Sequence, residues 1–133
     1  MPILNNSPIL VLEGGKVRFV FGTPGGETIG QTQFQVLVNL IDFAMPVQQA
    51  IEAPRVALVA KPNFYKPGAA VTVQVESRLP PATIEALRAM GHTIDVLPGW
   101  GSIGHVQAIR IDPVTGAMTA GADPRRTGYA MGY

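Results

Sequence analysis

A chain of 133 residues, 47% hydrophobic and only 14% charged, is long enough to bury a core but falls short of the roughly 25% charge usual in a globular domain. Its ten Lys and Arg against nine Asp and Glu leave a net charge of +1, and the longest basic cluster is Arg125-Arg126, so the electrostatic footprint of a nucleic-acid binder is excluded. There is no cysteine, hence neither a disulfide framework nor thiolate chemistry, and no run reaches the ~18 apolar residues of a membrane span.

The opening "MPILNNSPIL" lacks the basic stretch, apolar run and cleavage site of a signal peptide and leads almost directly into a strand. Compartment stays open between cytoplasm and periplasm or exterior. "PILVLEGGKVRFVFG" predicts a β-hairpin, two apolar runs flanking Gly14-Gly15, a pair suited to a tight turn with positive φ. The strands are almost continuously apolar, as in a sheet covered on both faces. After "GTPGG", Thr28-Ile29-Gly30-Gln31 matches a capping box and predicts a helix to Ala44, stopped by Pro46. Its apolar residues, from Ile29 through Phe34, Val36 and Leu40 to Phe43, wrap most of the circumference, which predicts burial on more than one side. "PVQQAIEA" predicts a short helix that starts at Pro46.

"RVALV" and "AVTVQVES" have strand composition, separated by the Pro- and Gly-rich "AKPNFYKPGA". "LPPATIEALRAMGH" predicts a helix with prolines at its start, Gly91 at its C-terminal cap, and Ile84, Leu87 and Met90 as its core stripe. "TIDVL" reads as a short strand. "HVQAIRIDPVTGAMTAGAD" reads as a hairpin turned at Asp112-Pro113-Val114-Thr115-Gly116. Strand pairs mixed with helices predict a single α+β or layered α/β domain, with no internal repeat and no linker.

The stretch that asks for chemistry is Gly22-Thr23-Pro24-Gly25-Gly26, between a strand and a helix. It satisfies neither the G-x-x-x-x-G-K-S/T phosphate loop nor the G-x-G-x-x-G dinucleotide fingerprint. From spacing alone it is a turn whose glycines adopt positive φ. His92 and His105 are far apart with no ligand pattern around them, so no metal site is predicted. Ser102 in "GWGSIGH" does not meet the spacing of a nucleophile elbow and is read as loop. Asp123 and Arg125 are expected to pair across a terminal turn, and Phe64, Tyr65 and Trp100 are too scattered to form a stacking surface.

The combination says more than any part. "NNSPILVLEGGKVRFVFGTPGG", then "QTQFQVLVNLIDFAMPVQQAIEAPRV", then the terminal "GADPRRTGYAMGY" resemble the γ-glutamyltransferase (γ-glutamyltranspeptidase) family over effectively the whole chain. The markers "SP", "GTPGG", "Q-x-x-x-N-x-I-D", "A-x-x-A-P-R" and "GADPR" fall in the family's order. The resemblance implies the C-terminal part of a small subunit. It implies an α+β architecture that is a partial αββα sandwich of the N-terminal nucleophile hydrolase type. In that family the precursor cleaves itself, and the new N-terminal Thr attacks γ-glutamyl or related acyl amides with its own amine as base. No cofactor is implied.

Carried over residue by residue, the two glycines whose N–H groups stabilise the tetrahedral oxyanion become Gly25 and Gly26. The family's paired serines that contact the substrate carboxylate become Leu4 and Asn5, and Asn5 and Asn6 are the implied carboxylate contacts. The resemblance places the nucleophilic Thr and the residues that grip the substrate's amino group upstream, so the implied partner is the rest of the same enzyme. The competing expectation is a non-catalytic interaction or scaffold domain that keeps the fold remnant and covers its exposed sheet or helix by self-association, as a homo-oligomer.

Overall fold

Gly14 and Gly15 adopt φ of 57° and 78°, as a two-residue primed turn requires, and join β1 (Ile9–Glu13) to β2 (Lys16–Gly22). In this computed structural model, which describes residues 7–132, the hairpin is half of an antiparallel sheet. β2 pairs with β6 (Gln107–Ile111), and β6 with β7 (Met118–Ala122), in the order β1-β2-β6-β7. The β6–β7 turn is tied by Asp112, whose Oδ1 accepts from the N–H groups of Val114 at 2.9 Å and Thr115 at 2.8 Å. Those bonds, Thr115's first, hold the carboxyl below its ordinary range.

Alternation along the strands gives the sheet two unlike faces. Phe19, Phe21 and Ala108 point inward and meet Val36 and Leu40 of α1 (Ile29–Ile41) and Val47, Ala50 and Ile51 of α2 (Val47–Glu52). α2 lies close because Gly121 has no side chain: a Cβ there would sit 2.8 Å from Ile51 Cδ1 and 2.9 Å from Val47 Cγ1. The opposite face carries an apolar row across all four strands, in which Leu10 faces Val20, Val20 faces Ile109 and Ile109 faces Ala120. Leu10 is 65% exposed. Helices therefore cover one face only, while on the other the C-terminal residues from Gly128 to Gly132 run beside Gln107, Ile109 and Ala120 and leave Ile109 37% exposed.

Three expectations for α1 are corrected. α1 ends at Ile41, short of Ala44. The ring of Pro46 disfavours helix in the residue before it, and the chain leaves through a left-handed Ala44, φ 48°. Phe34, Ile41 and Phe43 are exposed, so only one side of α1 is buried by the described residues. The capping box does not form: Thr28 makes no side-chain cap and turns its hydroxyl back to Gly25 O, 3.0 Å away. Gln31 is instead committed to a neighbouring strand.

That strand is β3 (Val56–Lys61), the edge of a second sheet of order β3-β4-β5, with β4 (Ala70–Glu76) and β5 (Ile94–Leu97). β4 and β5 are parallel and joined through α3 (Pro81–Ala89). Ile84 of α3 is buried but Met90 is 74% exposed, so the expected stripe stops at Leu87; Met90 lies past the helix end, beside Gly91 at φ 90°. Gln31 and Gln35 bond the free edge of β3 as a strand would. Gln31 donates to Leu58 O (2.9 Å) and accepts from Leu58 N (2.7 Å); Gln35 does the same with Val56 O (2.8 Å) and Val56 N (3.0 Å). The match is geometric: four residues of helix advance about 6 Å and two residues of strand about 6.6 Å.

Candidate active site

The glycine loop begins where β2 leaves its pairing with β6 at Gly22 and ends in a 3-10 turn, Gly26–Thr28, that feeds α1. Gly25 has φ 146° and ψ 7°, Gly26 has φ 56°, and both are exposed. Only glycine holds the first of these without strain. The carbonyl of Gly25 accepts both the N–H of Thr28 at 3.1 Å and its hydroxyl at 3.0 Å. Thr23 Oγ1 donates to Pro24 O at 2.8 Å and accepts from the N–H of His105 at 2.7 Å. The N–H groups of Gly25 and Gly26 make no hydrogen bond to another loop, turn or side-chain acceptor among the described residues. Two unspent, solvent-facing donors side by side at a helix start can stabilise a developing negative charge.

His105 belongs to the segment that carries the chain from the second sheet into β6, and this segment is clamped by buried charge. Arg55, 1% exposed, pairs with Asp123 Oδ2 at 2.7 Å and donates to Ile103 O at 2.8 Å and Ile51 O at 2.7 Å. Asp123 Oδ2 also accepts from Val106 N at 2.9 Å. His105 thus lies between two residues bound to the same ion pair. Arg125 bridges onward, reaching Asp123 Oδ1 at 3.1 Å and both oxygens of Glu76 at 2.5 and 2.8 Å. Arg78 closes the chain on Glu76 Oε2 at 2.7 Å and is capped by Trp100, whose ring centroid is 3.8 Å from its guanidinium carbon.

Three guanidinium groups against two carboxylates leave one excess positive charge. It is met by carbonyls at the end of α2: Ile51 and Ala53 accept from Arg125 at 3.0 Å each, and Glu52 O from Arg78 at 2.7 Å. The C-terminal end of a helix is where cations are favoured. Burial opposes the Arg125 charge, but the bonds from Glu76 and Asp123 outweigh it and raise its pKa. Burial, with the charge of Arg125, lowers that of Arg55. Burial alone would raise Asp123; the charge of Arg55 and two backbone N–H bonds turn it downward instead. Burial first, then the charge of Arg126, lowers His105, which favours a neutral imidazole; its two ring nitrogens have no hydrogen-bond partner among the described residues.

The structure brings Gly25 and Gly26 together in one turn, while Asn5 and Asn6 lie outside the described residues. Asp123 and Arg125 do pair, as expected, within a wider network. His92 and Ser102 are exposed in turn and loop. Sequence reasoning missed Thr23 and Thr28 as loop supports, and Arg55 and Glu76 as buried ions. For Arg55 and Arg125 a signal existed, since each closes a Pro-Arg marker. For Glu76, at the end of an ordinary strand, there was none.

Comparison with known proteins follows the same lines. A family model described as Gamma-glutamyltranspeptidase matches residues 2–133. A glutathione hydrolase proenzyme from Pseudomonas aeruginosa is 39% identical over 127 residues, which are 94% of this chain and 21% of the relative. An ACY 1 acylase proenzyme from a Pseudomonas species is 34% identical over 120 residues, 88% of this chain and 19% of the relative. The solved structure of γ-glutamyltranspeptidase from Pseudomonas nitroreducens complexed with L-DON superposes with a TM-score of 0.76 at 35% identity, over 96% of this chain and 61% of that one. The chain spans about a fifth of the length of these curated relatives.

Proposed function

The chain belongs to the gamma-glutamyltranspeptidase family, and we propose that it is the C-terminal part of the small subunit of such an amide hydrolase or acyltransferase, supplying the oxyanion-stabilising loop of a site completed by the upstream part of the enzyme. The observation that carries the reading is the pair of exposed, uncommitted amides of Gly25 and Gly26 in a turn that only glycine can make. An N-terminal Thr from the upstream part attacks the acyl carbon of a γ-glutamyl or related amide, passing its proton to its own amine. The carbonyl oxygen becomes an oxyanion, and the two N–H groups meet that charge without reorganising. Collapse expels the amine with the transferred proton and leaves an acyl-enzyme. Water or a second amine then attacks the acyl-enzyme and meets the same donors.

The apolar row on the outer sheet face supports the same reading. Leu10, Val20, Ile109 and Ala120 present a surface suited to a second sheet, and two helices already cover the inner face. With a facing sheet and its own helices this arrangement would complete the αββα sandwich. Asn5 and Asn6 would contact the substrate carboxylate. With Leu4 standing where the family has a serine, the acyl group need not be γ-glutamyl, and the glutathione hydrolase and acylase among the relatives mark the range.

The test is reconstitution. The chain is produced alone and together with the upstream part of a family proenzyme, and release of p-nitroaniline from γ-glutamyl and glutaryl p-nitroanilides is followed. Activity in the pair and none in the chain alone is expected. A folded complex inactive on both substrates, with the chain alone forming a stable homodimer, would replace this reading with a non-catalytic scaffold.

A further inference from the structure

The carbonyls of the glycine loop are held more firmly than its amides. A trans peptide is planar, with its C=O and N–H pointing in opposite directions, so fixing a carbonyl aims the N–H of the same peptide. Pro24 O and the Gly25 N–H share one peptide, and Gly25 O and the Gly26 N–H share the next. Thr23 Oγ1 holds the first carbonyl at 2.8 Å, and Thr28 holds the second with both its hydroxyl, at 3.0 Å, and its N–H, at 3.1 Å. We propose that the hydroxyls of Thr23 and Thr28 are the positioning groups of the oxyanion site, one threonine for each glycine amide. This rests on the reading of Gly25 and Gly26 as the oxyanion donors.

The two hydroxyls differ in what stands behind them. Thr23 has a single hydroxyl proton and gives it to Pro24 O, while its lone pair takes the His105 N–H at 2.7 Å. The rotor is fixed at both ends. The anchor is itself rigid, since Ile103 O and Val106 N on either side of His105 are bound to Arg55 and Asp123, both 1% exposed. Thr28 stands at the start of α1 and works through space that Gly25 leaves open, because a Cβ on Gly25 would lie 2.7 Å from Thr28 Oγ1. Gly25, with no side chain and an unusual φ, has little of its own to resist rotation of either flanking peptide. Such a rotation carries the N–H away from the reacting oxygen.

Val in place of Thr keeps the shape and removes the hydroxyl; Ser keeps the hydroxyl and removes a methyl. In the chain joined by its upstream part, Thr23→Val and Thr28→Val are each expected to lower kcat for γ-glutamyl p-nitroanilide by about tenfold or more, a share of the about 10²–10³ lost with a donor. KM should stay within about twofold and the Ser variants should recover most of the rate, a pattern that lost stability alone would not give. In the 133-residue chain, Thr23→Val should speed hydrogen exchange of the His105 amide. Ser variants as slow as the Val variants would overturn the proposal. So would unchanged His105 exchange in Thr23→Val while Gly25→Ala still removes activity; the donors would stand and the hydroxyls would position nothing. Faster exchange with an unchanged kcat would overturn it from the other side, because the contact would be real and would not govern the donors, whose own test is Gly25→Ala.

Discussion

Replacing Gly25 by alanine separates the loop's backbone chemistry from the fold. At φ 146° and ψ 7° an L residue is outside its allowed regions, and holding it there costs about 1–3 kcal/mol. The new Cβ would lie 2.7 Å from Thr28 Oγ1, which displaces the hydroxyl and forfeits a bond worth about 0.5–1.5 kcal/mol. The sum stays below the about 5–15 kcal/mol that separates native from unfolded domains, so the variant folds. The strain is relieved by rotating the flanking peptides, and that swings the two N–H groups off target. A lost donor in such a site removes about 2.7–4 kcal/mol of transition-state stabilisation. Reconstituted Gly25→Ala should therefore lose at least about tenfold, and up to about 10³-fold, in kcat. Gly26→Ala is the internal control. At φ 56°, with nothing within 4 Å of an added Cβ, it meets the about 1–2 kcal/mol of a left-handed alanine without the clash at Thr28, and should lose clearly less rate than Gly25→Ala. Thermal melts by circular dichroism, run beside the p-nitroanilide assay, check that both fold. Gly25→Ala at wild-type rate, or the two variants equally impaired, would refute the argument.

Glu76→Gln leaves the guanidinium groups of Arg55, Arg78 and Arg125 with Asp123 as the one carboxylate in their network. Breaking a buried pair costs about 3–5 kcal/mol, read as a large drop in the urea midpoint. Trp100→Ala, which removes a half-exposed ring from Arg78, should cost about 0.5–1 kcal/mol, and similar midpoints for the two would contradict the ranking. His105 gives a pH signature. Burial and the charge of Arg126, partly offset by Asp123, hold its folded pKa below the ordinary value near about 6.5, so the unfolded chain takes up the proton first. Its contribution to stability is complete above about pH 6.5, declines as pH falls toward the folded value, and is flat below that. His105→Gln should remove this slope from urea midpoints measured between about pH 7 and 5; an unchanged slope would place the titration elsewhere.

The elements themselves were legible because their signals are local. Gly14-Gly15 specifies a turn that few other pairs can make, the alternation around it specifies strands, and the paired prolines at the start of α3 specify where it begins. The glycine loop was legible as a turn from its own residues, and its proposed oxyanion role was suggested only by the family resemblance, since no spacing rule distinguishes a catalytic strand-to-helix turn from an ordinary one. The capping box failed for a reason outside its own segment. Gln31 had a better use in completing the edge of β3, a strand that lies 27 residues further on.

By itself the sequence determined the order of strands and helices, the turns that demand glycine or proline, and the family. Tertiary structure alone decided which groups meet across distance: Glu76 with Arg125, 49 residues apart, and His105 with Thr23, 82 residues apart. It also decided that one sheet face would be covered by helices and the other only flanked by the C-terminal residues. Those outcomes depend on packing between segments. An isolated glutamate or threonine carries the same local signal whether it faces water or closes a buried network, and only the fold brings up the partner that makes the difference.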